Sequence, residues 1–486
     1  MISIFFRTAV ALFIVLPWIG PAGAAPVERP NVIIIFADDL GWGDLSCQGH
    51  PTIATPNLDR MASEGQRWTD FYSAASVCTP SRAALMTGRL PIRSGMCAET
   101  PRVLVANSPT GLPHSEITLA EALKEVGYAT MCIGKWHLGR PAEFLPKSQG
   151  FDEYFGLPYS NDMGRFKKIP RRGKDGEPDY RACRVPLIRG DEVIEPATDQ
   201  RQLTKRYTEE SLRFIKTHKD EPFFLYLAHT MPHVPLFRSE KFVDHSRRGR
   251  YGDVVEEIDD GVGQILDTLR QLKLDKKTLV VFTSDNGPWL VFKEHGGSAG
   301  PLRDGKGGTF EGGMREPAVF WWPNTLAPGI VRDMGSTLDL FPTCVKLCGA
   351  QLPDDRQIDG VDISPALLGT GKSPRETMFF YRAEKLYAVR HGAYKAHFFT
   401  RPSYGKDAMT EYEHDPPLLY DLGQDPGEKY NIAAKHPEVI AQIKRIAEQH
   451  LKGVVPVENQ LEKGYRLKKR RAVKTVPVKK PIPDRE

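Results

Sequence analysis

The stretch Cys78-Thr79-Pro80-Ser81-Arg82 sets a thiol two residues before a proline and four before an arginine, at the start of a helix-compatible run that ends at Gly88. An anion at Cys78 would meet free backbone N–H groups and the positive end of a helix dipole. Arg82, one turn on, could bring its guanidinium fork back to hold an oxyanion at two points. Cys78 therefore has two readings, a reactive centre or a small buried hydrophobe, the ordinary state of a free cysteine. Asp38-Asp39 and Asp285-Asn286 are hard oxygen donors. Three carboxylates and an amide suit Ca²⁺ or Mg²⁺ rather than zinc or copper, and the alternative is that each pair forms a turn after its strand.

Other side chains could move protons or hold anions. In Gly134-Lys135-Trp136-His137-Leu138-Gly139 an ammonium and an imidazole alternate between two glycines, an anion clamp beside an acid/base group. His229 and His233 have the spacing of a zinc pair, but Pro232 and Pro235 place them in a loop. His233 is read as a general acid and His229 as structural. Lys306 lies in the glycine-rich Arg303-Asp304-Gly305-Lys306-Gly307-Gly308, and its meaning depends on its neighbours.

These residues need elements to position them. The short apolar runs Asn31 to Phe36, Ala129 to Ile133, Pro222 to Ala228 and Thr278 to Thr283 predict strands buried on both faces, most of them followed by polar groups. Helix-period segments at Asn57 to Glu64, Thr118 to Val126, Leu203 to Thr217 and Val254 to Leu272 alternate with them. That order predicts an α/β fold whose mostly parallel sheet is covered by helices, with its site at the carboxyl ends of the strands. Beyond residue 350, strand-like runs at Thr377 to Tyr381, Leu386 to Arg390 and Tyr394 to Phe399 precede a helix near Pro437 to Leu451. They predict a small antiparallel sheet with one packed helix.

Composition sets the surroundings. The chain has 486 residues, 40% hydrophobic and 26% charged, as in globular proteins that are not disordered overall. The run Thr8 to Leu16, followed by Ala22-Gly23-Ala24, reads as a signal peptide over residues 1–24, hence an exported protein, periplasmic or secreted, with no membrane attachment after cleavage. Seven cysteines leave at least one thiol unpaired or chemically altered, and Cys344 and Cys348 read as core residues. No Asn-x-Ser/Thr sequon is present, in keeping with a bacterial exported protein. From Lys463 to Glu486, ten Lys/Arg face two Asp/Glu, and residues 456–486 read as a basic, disordered tail. No feature points to nucleic acid.

Five ordered blocks carry a resemblance. Cys78 to Arg89, Asp38-Asp39-Leu40-Gly41-Trp42-Gly43-Asp44, Gly134 to Gly139, Ser284-Asp285-Asn286-Gly287, and Gly305-Lys306 with Phe310 to Pro317 resemble the type I, formylglycine-dependent sulfatases of the alkaline phosphatase superfamily. Asp425-Pro426-Gly427-Glu428 is similar to a turn of their C-terminal domain. The resemblance implies a large mixed, mostly parallel sheet sandwiched by helices over residues 25–350, and a C-terminal α+β subdomain over 351–455. It implies that a formylglycine-generating enzyme converts Cys78 to formylglycine, whose hydrate, bound to Ca²⁺ or Mg²⁺, is the nucleophile. Metal ligands would be Asp38, Asp39, the modified Cys78, Asp285 and Asn286. Arg82, Lys135 and Lys306 would meet charge on the sulfuryl oxygens, Asp285 would take the proton of the attacking hydroxyl, His233 or Lys306 would protonate the leaving alcohol, and His137 would take the second hydroxyl's proton as sulfate is expelled. The substrate class implied is a sulfated sugar or polysaccharide of galactose- or N-acetylgalactosamine-6-sulfate type. A phosphonate or phosphate ester hydrolase, or a silent sulfated-glycan-binding protein, are the alternatives. Asp304 and His295 are placed near the entry to the site.

Overall fold

The computed structural model describes residues 29–172, 176–405, 407–465 and 473–478. The signal-peptide expectation falls on residues outside these. In chain order the strands of the larger sheet are β1 (Asn31–Ala37), β2 (Gln66–Tyr72), β3 (Ala129–Lys135), β4 (Glu153–Leu157), β5 (Leu187–Arg189), β6 (Glu192–Glu195), β7 (Phe223–Ala228), β8 (Thr278–Ser284), β9 (Arg315–Trp321) and β10 (Gly329–Ser336). They lie in the order β10-β2-β9-β8-β1-β7-β3-β4-β5-β6. The central block β8-β1-β7-β3-β4 is parallel throughout; β9 and β5 join it antiparallel, and the β2–β9 and β5–β6 pairs outside it are antiparallel as well.

The apolar run of β1 explains the layering. Successive side chains of a strand point to opposite faces. Val32, Ile34 and Phe36 join one core with the helices Cys78–Thr87, Leu119–Lys124 and Thr337–Leu347. Ile33, Ile35 and Ala37 join a second core with the helices Pro56–Glu64, Leu203–Thr217 and Arg250–Gln271. A strand apolar at every position thus separates two helical layers, and the strand ends are the places left for polar groups.

The smaller sheet is β11 (Thr377–Arg382), β12 (Lys385–His391), β13 (Tyr394–Thr400), β14 (Thr410–Asp421) and β15 (Lys474–Val478). The first four are antiparallel, as expected, but β15 runs parallel to β14. The expectation of a disordered tail over 456–486 is corrected for its described part. Leu461 is buried, Gln460 N donates to Gly95 O at 2.8 Å, and Thr475 Oγ1 donates to Glu411. Lys474-Thr-Val-Pro-Val alternates β-formers, and its proline is tolerated because the strand is an edge. Ile440, Ile443 and Ala447 of the helix Pro437–Lys452 pack with Leu386, Val389 and Leu419 of this sheet, and with Leu90 and Leu338 of the larger unit, in one core.

Polar groups also bind the two units. Glu428, in the turn after Asp425, accepts from Glu311 N at 2.6 Å and meets His397 and Lys395. Glu311 in turn accepts from Tyr72 and Lys395. This buried network fixes the start of β9, and with it the glycine-rich loop that carries Lys306.

Gly134 occupies a position in β3 with φ of 96°, and a Cβ there would lie 1.8 Å from Ala228 O on the adjacent β7. Gly134→Ala is therefore expected to destabilise the protein by about 2–5 kcal/mol through backbone strain and overpacking, and to displace Lys135. Thermal melts of the variant check this, and an unchanged Tm would contradict the tight β3–β7 approach.

Candidate active site

Four parallel strands deliver their C-terminal residues to one point. Asp38 and Asp39 follow β1, Lys135 ends β3, His233 follows β7, and Asp285 and Asn286 follow β8. Cys78 is the first residue of the helix Cys78–Thr87, whose ten residues are all buried. The ligand atoms of Asp38, Asp39, Cys78 and Asp285 all lie within 4.8 Å of one another.

Each carboxylate has its own cation. Lys135 Nζ donates to Asp38 Oδ2 at 2.6 Å, Lys306 Nζ to Asp39 at 2.6 and 2.8 Å, and Arg82 to Asp285 Oδ2 at 2.7 and 3.0 Å. The remaining arm of Arg82 donates to Lys135 O at 2.9 Å. Here the structure departs from expectation: the Arg82 fork is committed to Asp285 and a carbonyl, not turned freely toward an oxyanion beside Cys78. A carboxylate at the C-terminal edge of the sheet is a stronger partner for a buried guanidinium than any neutral group.

Burial pushes the Asp38 carboxyl up, but Lys135, with His233 and Arg82, outweighs it and holds the group below the usual carboxylate range. Asp285 goes the other way, raised by burial and by Asp38 against the pull of Arg82. Burial pushes the Cys78 thiol well above its ordinary range, against Lys135 and Lys306. Its Sγ lies 3.4 Å from Lys306 Nζ and 3.5 Å from Asp38 Oδ1.

The histidines have separate surroundings. His137 Nε2 donates to Leu104 O at 2.8 Å, so its Nδ1 carries the lone pair, and that atom is buried without a hydrogen-bond partner. Burial and Lys135 hold this ring well below its usual pKa, so it is a neutral base. Thr79 Oγ1 donates to His137 O at 3.0 Å and accepts from Leu104 N, tying the His137 backbone and the ring's partner Leu104 to the helix Cys78–Thr87. His233 directs Nδ1 to Val234 O at 2.6 Å and Asn161 Oδ1 at 3.1 Å, leaving Nε2 3.6 Å from Asp39. His229 is buried and held neutral, its pKa pushed down to about 3.

A divalent cation fits the residues present. Asn286 Nδ2 donates to Asp39 Oδ1 and to Gly287 O, while its Oδ1 is buried with no partner. An amide oxygen orphaned beside three carboxylates is a hard donor set for Ca²⁺ or Mg²⁺. The three ion pairs already balance, so a divalent ion would leave a positive surplus for an anionic substrate.

Several participants had no signal in the motifs. Ser160 accepts from Lys135 Nζ at 3.3 Å, and Asn161 contacts His233; both follow β4 and obey the same strand-end rule. Trp289 lies under Lys306, 4.5 Å from Nζ, and its ring is 5.3 Å from that of His233. Beside it opens a cavity of about 300 Å³ lined by Trp289, Phe292, Arg172, Arg250 and His295. His295 thus lines an approach to the site, whereas Asp304 faces Gly308 inside its own loop. Asp44 is an anchor, accepting from Gly41 N, Tyr251 and Ser298 N.

The family model described as sulfatase matches residues 30–350, and that of the C-terminal region of aryl-sulfatase matches residues 373–478. The chain belongs to the sulfatase family. It is 46% identical over 451 residues to arylsulfatase A of Homo sapiens, covering 87% of this chain and 88% of that protein. With N-acetylgalactosamine-6-sulfatase of Mus musculus it is 41% identical over 480 residues, covering 93% and 91%. The crystal structure of the PsFucS1 sulfatase from Pseudoalteromonas sp. superposes with a TM-score of 0.78 at 29% identity, over 88% of this chain and 91% of that one. That of Ps i-CgsB in complex with k-i-k-neocarrahexaose does so at 0.75 and 29%, over 89% and 94%. A phosphonate monoester hydrolase of Agrobacterium radiobacter shares the fold, at 0.59 and 20%. The reaction of this sulfatase is hydrolysis of a sulfate ester.

Calcium added to the metal-stripped sulfatase is expected to raise its Tm, a stabilisation of about 2.7 kcal/mol at a hundredfold excess over Kd. Asn286→Leu, which removes the orphaned oxygen, should shrink that shift. The absence of any shift with Ca²⁺ and with Mg²⁺ would remove the cation from this site.

Proposed function

We propose that this sulfatase removes sulfate from a sulfated carbohydrate, of galactose- or N-acetylgalactosamine-6-sulfate type within a polysaccharide, using an aldehyde hydrate at position 78 and a divalent cation held by Asp38, Asp39, Asp285 and Asn286. The observation that carries it is a chemical mismatch. Cys78 Sγ sits in a donor set otherwise made of oxygen, with a lysine ammonium at 3.4 Å. Sulfur is a poor partner for a hard cation, and burial keeps this thiol protonated. An oxygen in place of Sγ fits both neighbours, which is what conversion of Cys78 to formylglycine provides. Sγ therefore stands in for one hydroxyl of the hydrated aldehyde.

The hydrate, with the cation bound, would supply an ionised hydroxyl for attack on sulfur and a second hydroxyl whose deprotonation restores the aldehyde and breaks the C–O bond to sulfate. The side chains divide the remaining work. Asp285, raised by burial and by Asp38, is the carboxylate suited to accept a proton from position 78. Arg82 holds that carboxylate in place through two hydrogen bonds. Lys135 and Lys306 meet the charge on the sulfuryl oxygens. His233, with Nε2 toward the site, or Lys306, gives a proton to the departing alcohol. His137 takes the proton of the second hydroxyl at Nδ1. Held well below its usual pKa by burial, it stays unprotonated at neutral pH and adds no acid limb of its own there.

The carbohydrate class is supported by the names of the relatives and by the neocarrahexaose in a structural neighbour. Maturation by a formylglycine-generating enzyme, and export to the periplasm or medium through residues 1–24, belong to the same proposal. So does the division into a catalytic unit over 25–350 and a C-terminal unit over 351–455.

The enzyme is expected to turn over 4-nitrophenyl sulfate with kcat/KM at least about tenfold above that for 4-nitrophenyl phenylphosphonate, a transition-state preference of about 1.4 kcal/mol or more. A phosphonate preference of that size would reverse the assignment. In His137→Ala the second half of the reaction should fail, so the peptide carrying position 78 accumulates one SO₃ after exposure to substrate. An unmodified peptide after turnover in this variant would exclude His137 from sulfate release.

A further inference from the structure

Next to Lys306, around the Gly307 carbonyl and Glu99, three guanidinium groups gather. Gly307 follows Lys306 in the chain, about 3.8 Å away from Cα to Cα. Its carbonyl oxygen accepts from Arg102 Nη2 at 3.1 Å and from Arg382 Nη1 at 3.3 Å. Arg401 joins them through Glu99, its Nη1 2.8 Å from one carboxylate oxygen while Arg382 Nε is 3.6 Å from the other. Glu99 is the one carboxylate paired with any of the three among the described residues.

Two cations converging on one neutral oxygen, with a single anion among three, is an arrangement short of negative charge. Arg382 is 5% exposed and Arg401 6%, so water cannot make good the deficit. Arg382 Nε has no hydrogen-bond partner, and neither does the neighbouring Ser403 Oγ, which is buried beside Gly307. Burial, with Arg102 and Arg401, pulls Arg382 down to about 10, which an added anion would reverse. Arg401 Nε also donates to Ala408 O at 2.7 Å, and among the described residues its Nη2 has only the weak acceptor Met409 Sδ, at 3.5 Å. The cluster is open on one side, where a third of Glu99 is exposed and Arg102 is half-buried.

Its position ties it to the reaction. Tyr404 follows Ser403, and its ring is 5.9 Å from that of Trp289, the ring under Lys306. Tyr404 feels the charge of both Lys306 and Arg102, so an aromatic pair borders both the lysine and the arginines, the kind of platform on which a sugar ring rests.

We propose that Arg102, Arg382 and Arg401 form a subsite for a second anionic substituent, a carboxylate or a sulfate, on the sugar adjoining the one whose ester is cleaved. This rests on the carbohydrate reading above and adds to it a preference for substrates with charge on neighbouring units. A guanidinium bound to such a group makes charge-assisted, bidentate contacts that a neutral sugar cannot supply.

Competition against 4-nitrophenyl sulfate turnover reads the binding of a sugar whether or not it is itself hydrolysed. The probes are N-acetylgalactosamine 6-sulfate, the disaccharide joining it to a uronate, and a disaccharide carrying a second sulfate instead. The wild type should bind at least one disaccharide about tenfold or more tightly than the monosaccharide, and Arg382→Gln and Arg401→Gln should each remove about tenfold of that preference. Arg382→Lys should keep part of it, and which disaccharide is preferred separates carboxylate from sulfate. A wild type that binds all three sugars alike, or variants that keep its full preference, would overturn the subsite. So would variants that lose 4-nitrophenyl sulfate turnover as steeply as disaccharide affinity, because the arginines would then be framework. A wild type inert toward 4-nitrophenyl sulfate would instead sink the sulfatase chemistry, and calorimetric titration of the same sugars would still decide on the arginines.

Discussion

Three buried ion pairs, Lys135 with Asp38, Lys306 with Asp39 and Arg82 with Asp285, are the constraint on which the rest of the site depends. Removing one partner of such a pair costs about 3–5 kcal/mol, because the other charge stays buried and uncompensated. The pairs also join elements far apart in the chain: β1 to β3, β1 to the glycine-rich loop, and the helix Cys78–Thr87 to β8. The same contacts that neutralise the carboxylates therefore set the distances between them.

The surrounding fold is arranged to hold those charges out of water. A central strand apolar on both faces leaves its polar residues at the carboxyl edge, and four such edges meet. Asp39 and His137 both adopt left-handed backbone, at φ of 65° and 60°, a conformation costly for residues other than glycine and sustained where packing over-determines it. The C-terminal sheet takes part from a distance, since Glu428 and Lys395 fix Glu311 at the base of the loop bearing Lys306.

Much of this was legible in the sequence, for a physical reason. β1, β3, β7 and β8 are continuous apolar runs, and a chain has few places to put such runs except between two helical layers. β2 and β9 were missed because Asp70, Arg315 and Glu316 interrupt the pattern; their charges are absorbed by an Arg315–Asp70 pair and by Ser73, partners invisible along the chain. Arg82's true partner lies 203 residues away, so its type was readable and its target was not. Ser160 and Asn161 could have been found by applying the strand-end rule to β4, while Trp289 carries no periodicity that marks it. The strand Lys474–Val478 was hidden by the basic composition around it.

The central claim is that position 78 acts as an oxygen nucleophile and not as a thiol. Its most direct test is mass spectrometry of the peptide carrying position 78, from active protein purified from its native host. The account predicts that the Cys78 CH₂SH group is replaced by an aldehyde, trapped by a hydrazide reagent and inert to iodoacetamide. A fully active protein whose Cys78 is an intact thiol, alkylated by iodoacetamide, would contradict it.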